Sequence, residues 1–204
     1  MSGALPIPPD LQDNDRDRRG LPIPFVVYRD VNGAPHFSIN NVAAVDLVLD
    51  HGLCGLCGKP LKPGEIWLIG GPGSSFMDDG MYIDPFAHED CGRYAVQVCP
   101  FLAAPSYARR VEGRTLKQRD AHEGIELHDN KIAPPRPAFF VLACTTGFSL
   151  VESDDGSGHR YILPVRPWQQ VEFWRDSALI ASGEARQLAE ADGFTPEDLK
   201  WWPA

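Results

Sequence analysis

The chain has 204 residues, 43% of them hydrophobic, with a formal net charge of −9. That is enough for one domain with a real core, or one domain with a small satellite. An acidic chain does not attract DNA or RNA as a whole, so a nucleic-acid contact needs a local basic patch. No apolar run approaches membrane-spanning length, and the N-terminus lacks the basic-then-apolar order of a signal peptide.

Residues 1–22 are Pro-rich and charged, with Leu5-Pro-Ile-Pro-Pro-Asp10 followed by Asp13-Asn-Asp-Arg-Asp-Arg-Arg19. Without periodicity, this reads as a flexible arm. Residues 23–102 read as the organising core. Pro22 to Tyr28 is a strand. Asn32-Gly33 is a hairpin turn signal, and Pro35–Ile39 is the returning strand. Asn40 or Asn41 caps a helix over Val42–Leu49, and Gly52 stops it. Asp50-His51 reads as the polar end of that helix.

The chain then reaches Cys54-Gly-Leu-Cys57-Gly58 and, thirty residues on, His88-Glu-Asp-Cys91. Two cysteines separated by two residues can turn both sulfurs toward one centre, with Gly55 and Gly58 expected to relieve the backbone. His88 and Cys91 are three apart at the start of a helical pattern, so they share a face. Between the pairs, Glu65–Ile69 reads as a strand, Gly70–Ser74 as a loop and Met81–Ile83 as a second short strand. The expected architecture is α+β: a treble-clef-like core of knuckle, hairpin and helix, with an N-terminal β-hairpin and a C-terminal antiparallel sheet plus short helices. Cys54, Cys57, His88 and Cys91 are the expected ligands of one structural Zn²⁺ per chain. Cys99, just before Pro100, is a candidate substitute. A thioredoxin-like reading of the cysteine pair wants a βαβ pattern beside it, and none is visible. Five cysteines, three of them assigned to the metal, fit a reducing cytoplasm better than secretion.

In the helix after Cys91, Tyr94, Ala95 and Val98 share the cysteine's face, which is expected to pack on the hairpin. Glu89 and Asp90 suit the positive end of the helix macrodipole and need no catalytic role. Residues 103–137 form a basic, Pro-rich loop. Arg109, Arg110, Arg114, Lys117 and Arg119 are its positive run, an expected contact for a protein or nucleic-acid partner. His122 and His128 are a weak second metal pair. Residues 138–204 are a β-rich part on the same domain. Strands are expected over Ala138–Cys144, Phe148–Val151, Arg160–Leu163 and Val171–Trp174. A helix follows over Gly183–Ala191, capped by Ser182, with another helix start at Thr195-Pro-Glu-Asp198. Trp201-Trp202 should close on the core. Cys144 reads as a buried strand cysteine rather than a nucleophile.

Arg19-Gly-Leu-Pro-Ile-Pro-Phe-Val, Asn32-Gly-Ala-Pro-His-Phe37, Cys54-x₂-Cys57-Gly-x-Pro-Leu61, His88-x₂-Cys91 and Cys99-Pro-Phe-Leu102 together resemble an uncharacterised zinc-binding family of bacteriophage and bacterial genomes. The resemblance covers the first half strongly and the tail around Trp174 more loosely. It implies a zinc site and a phage or prophage setting, with no activity or catalytic residue attached. The expected function is therefore a non-enzymatic zinc module that engages a partner. The alternatives are an HNH-like metal nuclease, for which Met81–Asp84 supplies no histidine, and a structural component of a virion or complex.

Overall fold

The structure is a computed structural model that describes residues 5–103, 136–153 and 159–203. It is a mixed α and β fold with antiparallel sheets. The segment holding Arg109, Arg110, Arg114, Lys117, Arg119, His122 and His128 lies outside the described residues.

Strands β1 (Val27–Arg29) and β2 (Pro35–Asn40) form the expected N-terminal hairpin, with Tyr28 opposite His36. Asp30 builds its turn, because Oδ1 accepts from the Asn32 and Ala34 amides at 2.9 Å each. β1 is shorter than the apolar run suggests. The amides of Ile23, Phe25 and Val26 bond instead to the carbonyls of Asp15, Leu56 and Gly55, so this stretch serves the arm and the knuckle rather than the hairpin. Helix α1 (Val42–His51) begins at the Asn41 cap, whose side chain accepts from the Ala44 amide, and ends at Gly52 in the left-handed region.

Four strands make the main sheet in the order β3 (Ile66–Gly70), β4 (Phe140–Thr145), β7 (Gln170–Arg175), β8 (Ala178–Ile180), all antiparallel. The β3–β4 pairing joins residues of the 23–102 core to the C-terminal part in one sheet. Every residue of β4 is buried. Its alternate side chains serve two cores, as the period of two demands. Leu142 and Cys144 meet Trp67, Val96 and Trp174. Val141 and Ala143, with Phe139 just ahead of the strand, meet Phe76, Phe173, Ala185, Ala189 and Leu199 on the other face. Strands β5 (Phe148–Glu152) and β6 (Arg160–Pro164) form a separate two-stranded sheet. β6 closes a third core in which Ile162 packs with Val48, Leu68, Tyr82 and Phe86.

Several expectations change. Gly70–Ser74 is no simple loop, because Pro72–Phe76 forms the short helix α2, with Pro at its start. Met81–Ile83 is not a strand of a zinc hairpin. Tyr82 instead exchanges two backbone hydrogen bonds with Ile162. β3 takes its strand partner from β4, and only one antiparallel bridge, Trp67 with Ala87, joins it to the chain approaching His88. Residues 5–22, expected as a flexible arm, are anchored at two points: Leu11 is 3% exposed, and Asn14 Nδ2 donates to the carbonyls of Ile23 and Leu56 at 2.8 Å each. One leucine and one bridging asparagine outweigh the polar composition around them.

Helix α3 (Glu89–Val98) is buried on two sides rather than one. Cys91 and Tyr94 face Leu11, while Val96 faces the sheet. A Cβ on Gly92 would come within 2.7 Å of Leu142 Cδ1, so the glycine sets how closely α3 approaches β4. Helix α4 (Pro100–Ala103) follows directly. Helix α5 (Ser182–Ala191) is capped by Ala181 without a side-chain bond; the expected cap, Ser182, accepts from Trp202 Nε1 instead. Thr195–Asp198 is a hydrogen-bonded turn and not a helix start. Trp202 stacks on Phe173 at 4.9 Å, as the closing tryptophans were expected to do.

Candidate metal centre

The knuckle is a miniature hairpin. Leu53 bridges Pro60, the Cys54 amide donates to the Lys59 carbonyl, and the Gly58 amide donates to the Cys54 carbonyl. Gly58 has φ +72, as the turn requires. Gly55 is needed for a different reason from the one expected. It is not in the left-handed region, but a Cβ there would lie 2.6 Å from Pro85 Cγ. That close approach lets the Gly55 amide donate to the Phe86 carbonyl at 2.7 Å, which draws the second ligand pair onto the first.

The Trp67–Ala87 bridge then fixes the residue before His88. His88 caps α3, and Cys91 lies in its first turn. The result is one cluster: Cys54, Cys57, His88 and Cys91 place their ligand atoms within 4.8 Å of one another. Cys57 Sγ lies 3.3 Å and Cys91 Sγ 3.9 Å from His88 Nδ1. The His88 amide donates to Cys54 Sγ at 3.4 Å. Cys54 and Cys91 are fully buried. Cys99 caps the far end of α3 and does not join this group.

His88 Nε2 lies 2.9 Å from the Pro60 carbonyl. A carbonyl only accepts, so Nε2 keeps a proton, and Nδ1 is the nitrogen that would offer a lone pair to a cation replacing its own proton. This is the outer-shell bond that fixes the tautomer of a metal-binding histidine. Asp10 Oδ2 stands 3.9 Å from the same Nδ1.

The electrostatics follow from the crowding. Hydrogen bonds from Cys57 and Cys91 hold the Cys54 thiol far below its ordinary range. Hydrogen bonds to Cys54 and Cys57 push His88 up to about 11, and the same two cysteines push Cys91 up. Three thiols and an imidazole at this spacing cannot all shed their protons without a cation to replace them. The α3 N-terminus adds a favourable field for thiolate. Three sulfurs and one nitrogen form the donor set of a tetrahedral, borderline-soft ion. A tetrahedron with metal–ligand bonds of about 2.0–2.3 Å has edges of about 3.5–3.8 Å, and the two sulfur–nitrogen separations, 3.3 and 3.9 Å, bracket that range. The cluster can hold one metal ion, and the residues fit zinc.

Three carboxylates that flank the ligand pairs in sequence have other partners. Glu89 pairs with Arg93 at 2.6 Å, Arg93 also pairs with Glu172, and Asp84 accepts from Asn40 at 3.0 Å. Asp50 pairs with Arg160. Cys144 donates to Gln169 Oε1 at 3.2 Å from within β4, and burial raises its thiol. Sequence reasoning missed Asp10, Leu11, Lys59 and the Pro60 carbonyl. Only Leu11, an isolated apolar residue in a polar stretch, left a trace.

No family model, curated protein or solved structure matches the chain. Among the described residues, no helix is long and apolar enough to cross a membrane.

Proposed function

We propose that the protein is a structural-zinc binding module, in which the ion holds a folded surface for a protein or nucleic-acid partner. The observation that carries this reading is the closed donor set. Four protein side chains fill the coordination shell of a tetrahedral ion, which leaves no position for water or substrate. The knuckle and the α3 N-terminus correspond to the two ends of a treble clef, with the hairpin between them reduced to the Trp67–Ala87 bridge. Glu89 and Asp84 are engaged by Arg93 and Asn40, which favours binding over an HNH-like nuclease chemistry. The partner contact is the basic run Arg109, Arg110, Arg114, Lys117 and Arg119, and a phage or prophage accessory role fits it.

The test is capture of partners from a bacterial host lysate by the zinc-loaded chain, with nucleic acid retained and then digested. Recovery that survives digestion identifies a protein partner, and recovery abolished by it a nucleic acid. Metal-dependent hydrolysis of DNA or RNA by the purified chain would replace this reading with the nuclease.

A further inference from the structure

We propose that residues Pro8–Asn14 form a strap across the zinc centre, and that opening of this strap, rather than unfolding of the domain, sets the rate at which the metal exchanges. The inference rests on the zinc reading above and assigns to the chain's own residues a control that the four ligands do not provide.

The strap is seated directly on the ligands. Pro9–Leu11 forms a single 3₁₀ turn, and that turn drives Leu11 into the cluster containing Cys54, Ala87, Cys91 and Tyr94. Ile7 packs at its margin. Asp10 faces the histidine edge, 3.9 Å from His88 Nδ1. An apolar cover and a carboxylate thus lie over two sides of one centre.

The strap and the centre beneath it are held very differently. The knuckle is fixed by backbone hydrogen bonds to Phe25, Val26 and Phe86. The strap is held mainly by side chains, including a bond from Arg16 Nη2 to the Gln12 carbonyl at 2.7 Å, four residues along the chain. Lys59 Nζ reaches Asp10 Oδ1 at 3.4 Å and Asp13 Oδ2 at 3.3 Å, and Asn14 bridges to Ile23 and Leu56. The lysine pairs are long and solvent-exposed, a class of contact that contributes little stability. Local opening therefore costs much less than global unfolding, as expected for a segment with few buried contacts. Leu11 supplies most of what must be overcome, since it is the strap's buried side chain. Lys59 is both a knuckle residue and the anchor of the strap, so it couples cover and centre.

The experiment follows transfer of zinc from the full-length loaded protein to the chromogenic chelator 4-(2-pyridylazo)resorcinol in stopped flow, after the metal content of each sample is measured. Leu11→Ser should speed release about tenfold or more, and Lys59→Ala severalfold. Val171→Ala serves as the control: it trims a side chain packed on the far core and lowers melting temperature without touching the strap, so its release should stay near wild type. If Leu11→Ser does not fold, the exposed Lys59→Ala variant carries the test alone. Release from the strap variants no faster than from Val171→Ala, at matched melting temperature, overturns the strap. A folded wild-type chain that neither contains nor takes up zinc overturns the zinc reading and the strap with it.

Discussion

His88 donates its Nε2 proton to the carbonyl of Pro60 at 2.9 Å, so a residue just beyond the first cysteine pair decides how the second pair presents its nitrogen. The knuckle thus supplies two members of the Cys₃His cluster and orients a third. The first prediction follows from that closure. The purified protein should contain one zinc per chain. Cys57→Ser or Cys91→Ser should unfold much of the domain, because a structural zinc contributes on the order of 10 kcal/mol, comparable to the stability of a whole domain. Elemental analysis and thermal melts of the variants check this. A folded wild-type sample free of zinc contradicts it.

A second prediction concerns the acids near the centre. Glu89→Gln, Asp90→Asn and Asp84→Asn should leave biological activity largely intact. Glu89 gives up an exposed pair with Arg93, worth about 0.3–0.5 kcal/mol at this helical spacing, and Asp84 an exposed bond from Asn40. Loss of activity in a variant of unchanged melting temperature would show that one of these carboxylates does chemistry.

The caps of α1, the Asn-Gly turn, the two ligand pairs and β4 were legible because each depends on residues close in sequence. Asn41 and Gly52 bound α1 as local capping rules require. The run over β4 was apolar because both its faces are covered. What the sequence hid was partner choice across long separations. Nothing in Ile66–Gly70 signals that it pairs with Phe140–Thr145 rather than with Met81–Ile83. Likewise α3 looks one-sided by composition, yet Gly92 and Val96 make a second buried face, because a glycine reads as polar or neutral until a leucine is seen against it. The arm was misread because its many charges concealed the contribution of Leu11 and Asn14.

Gly80 gives a sharp test of packing in the α2 region. A Cβ there would lie 2.5 Å from the carbonyl oxygens of both Gly73 and Ser74. These are backbone atoms, so no rotamer change relieves the contact. Arg166 also binds this corner, donating to the Ser74 and Gly80 carbonyls at 2.8 and 2.7 Å. Gly80→Ala should destabilise the fold by about 1–3 kcal/mol, read as a lower denaturant midpoint with zinc content unchanged. A wild-type midpoint would mean that the corner is not packed as described.

Acid stability should depend on Asp17, whose side chain is 5% exposed. Burial opposes its ionisation, but hydrogen bonds from the Arg19 side chain and from the Leu21 and Arg19 amides outweigh that and hold its carboxyl below the ordinary aspartate value. A depressed folded value means that the stabilisation is present above the unfolded value of about 3.9 and is lost as pH falls through the lower folded value. Asp17→Asn should therefore reduce stability at neutral pH and show a shallower decline below about pH 4. Denaturant titrations across that range check it, and an acid limb equal to wild type would remove Asp17 from the account.

The last prediction concerns the partner. Arg109, Arg110, Arg114, Lys117 and Arg119 place five positive charges within eleven residues of a chain whose net charge is −9. Clustered charge gives a local field that extends over a Debye length of about 8 Å, whereas scattered charge would cancel against the acidic surroundings. If the run meets phosphate, affinity should fall steeply with salt, the slope growing with each contact. If it meets an acidic protein, salt should slow association more than it speeds dissociation. Arg110→Glu, Arg114→Glu and Arg119→Glu, combined in one chain, should keep the zinc, because none of the three is among its ligands, and should lose the partner. Equal partner capture and equal activity in that variant would remove the basic run from the binding surface. The search would then move to the exposed residues around the zinc knuckle, where Phe25 is 41% exposed and its ring lies against Gly58.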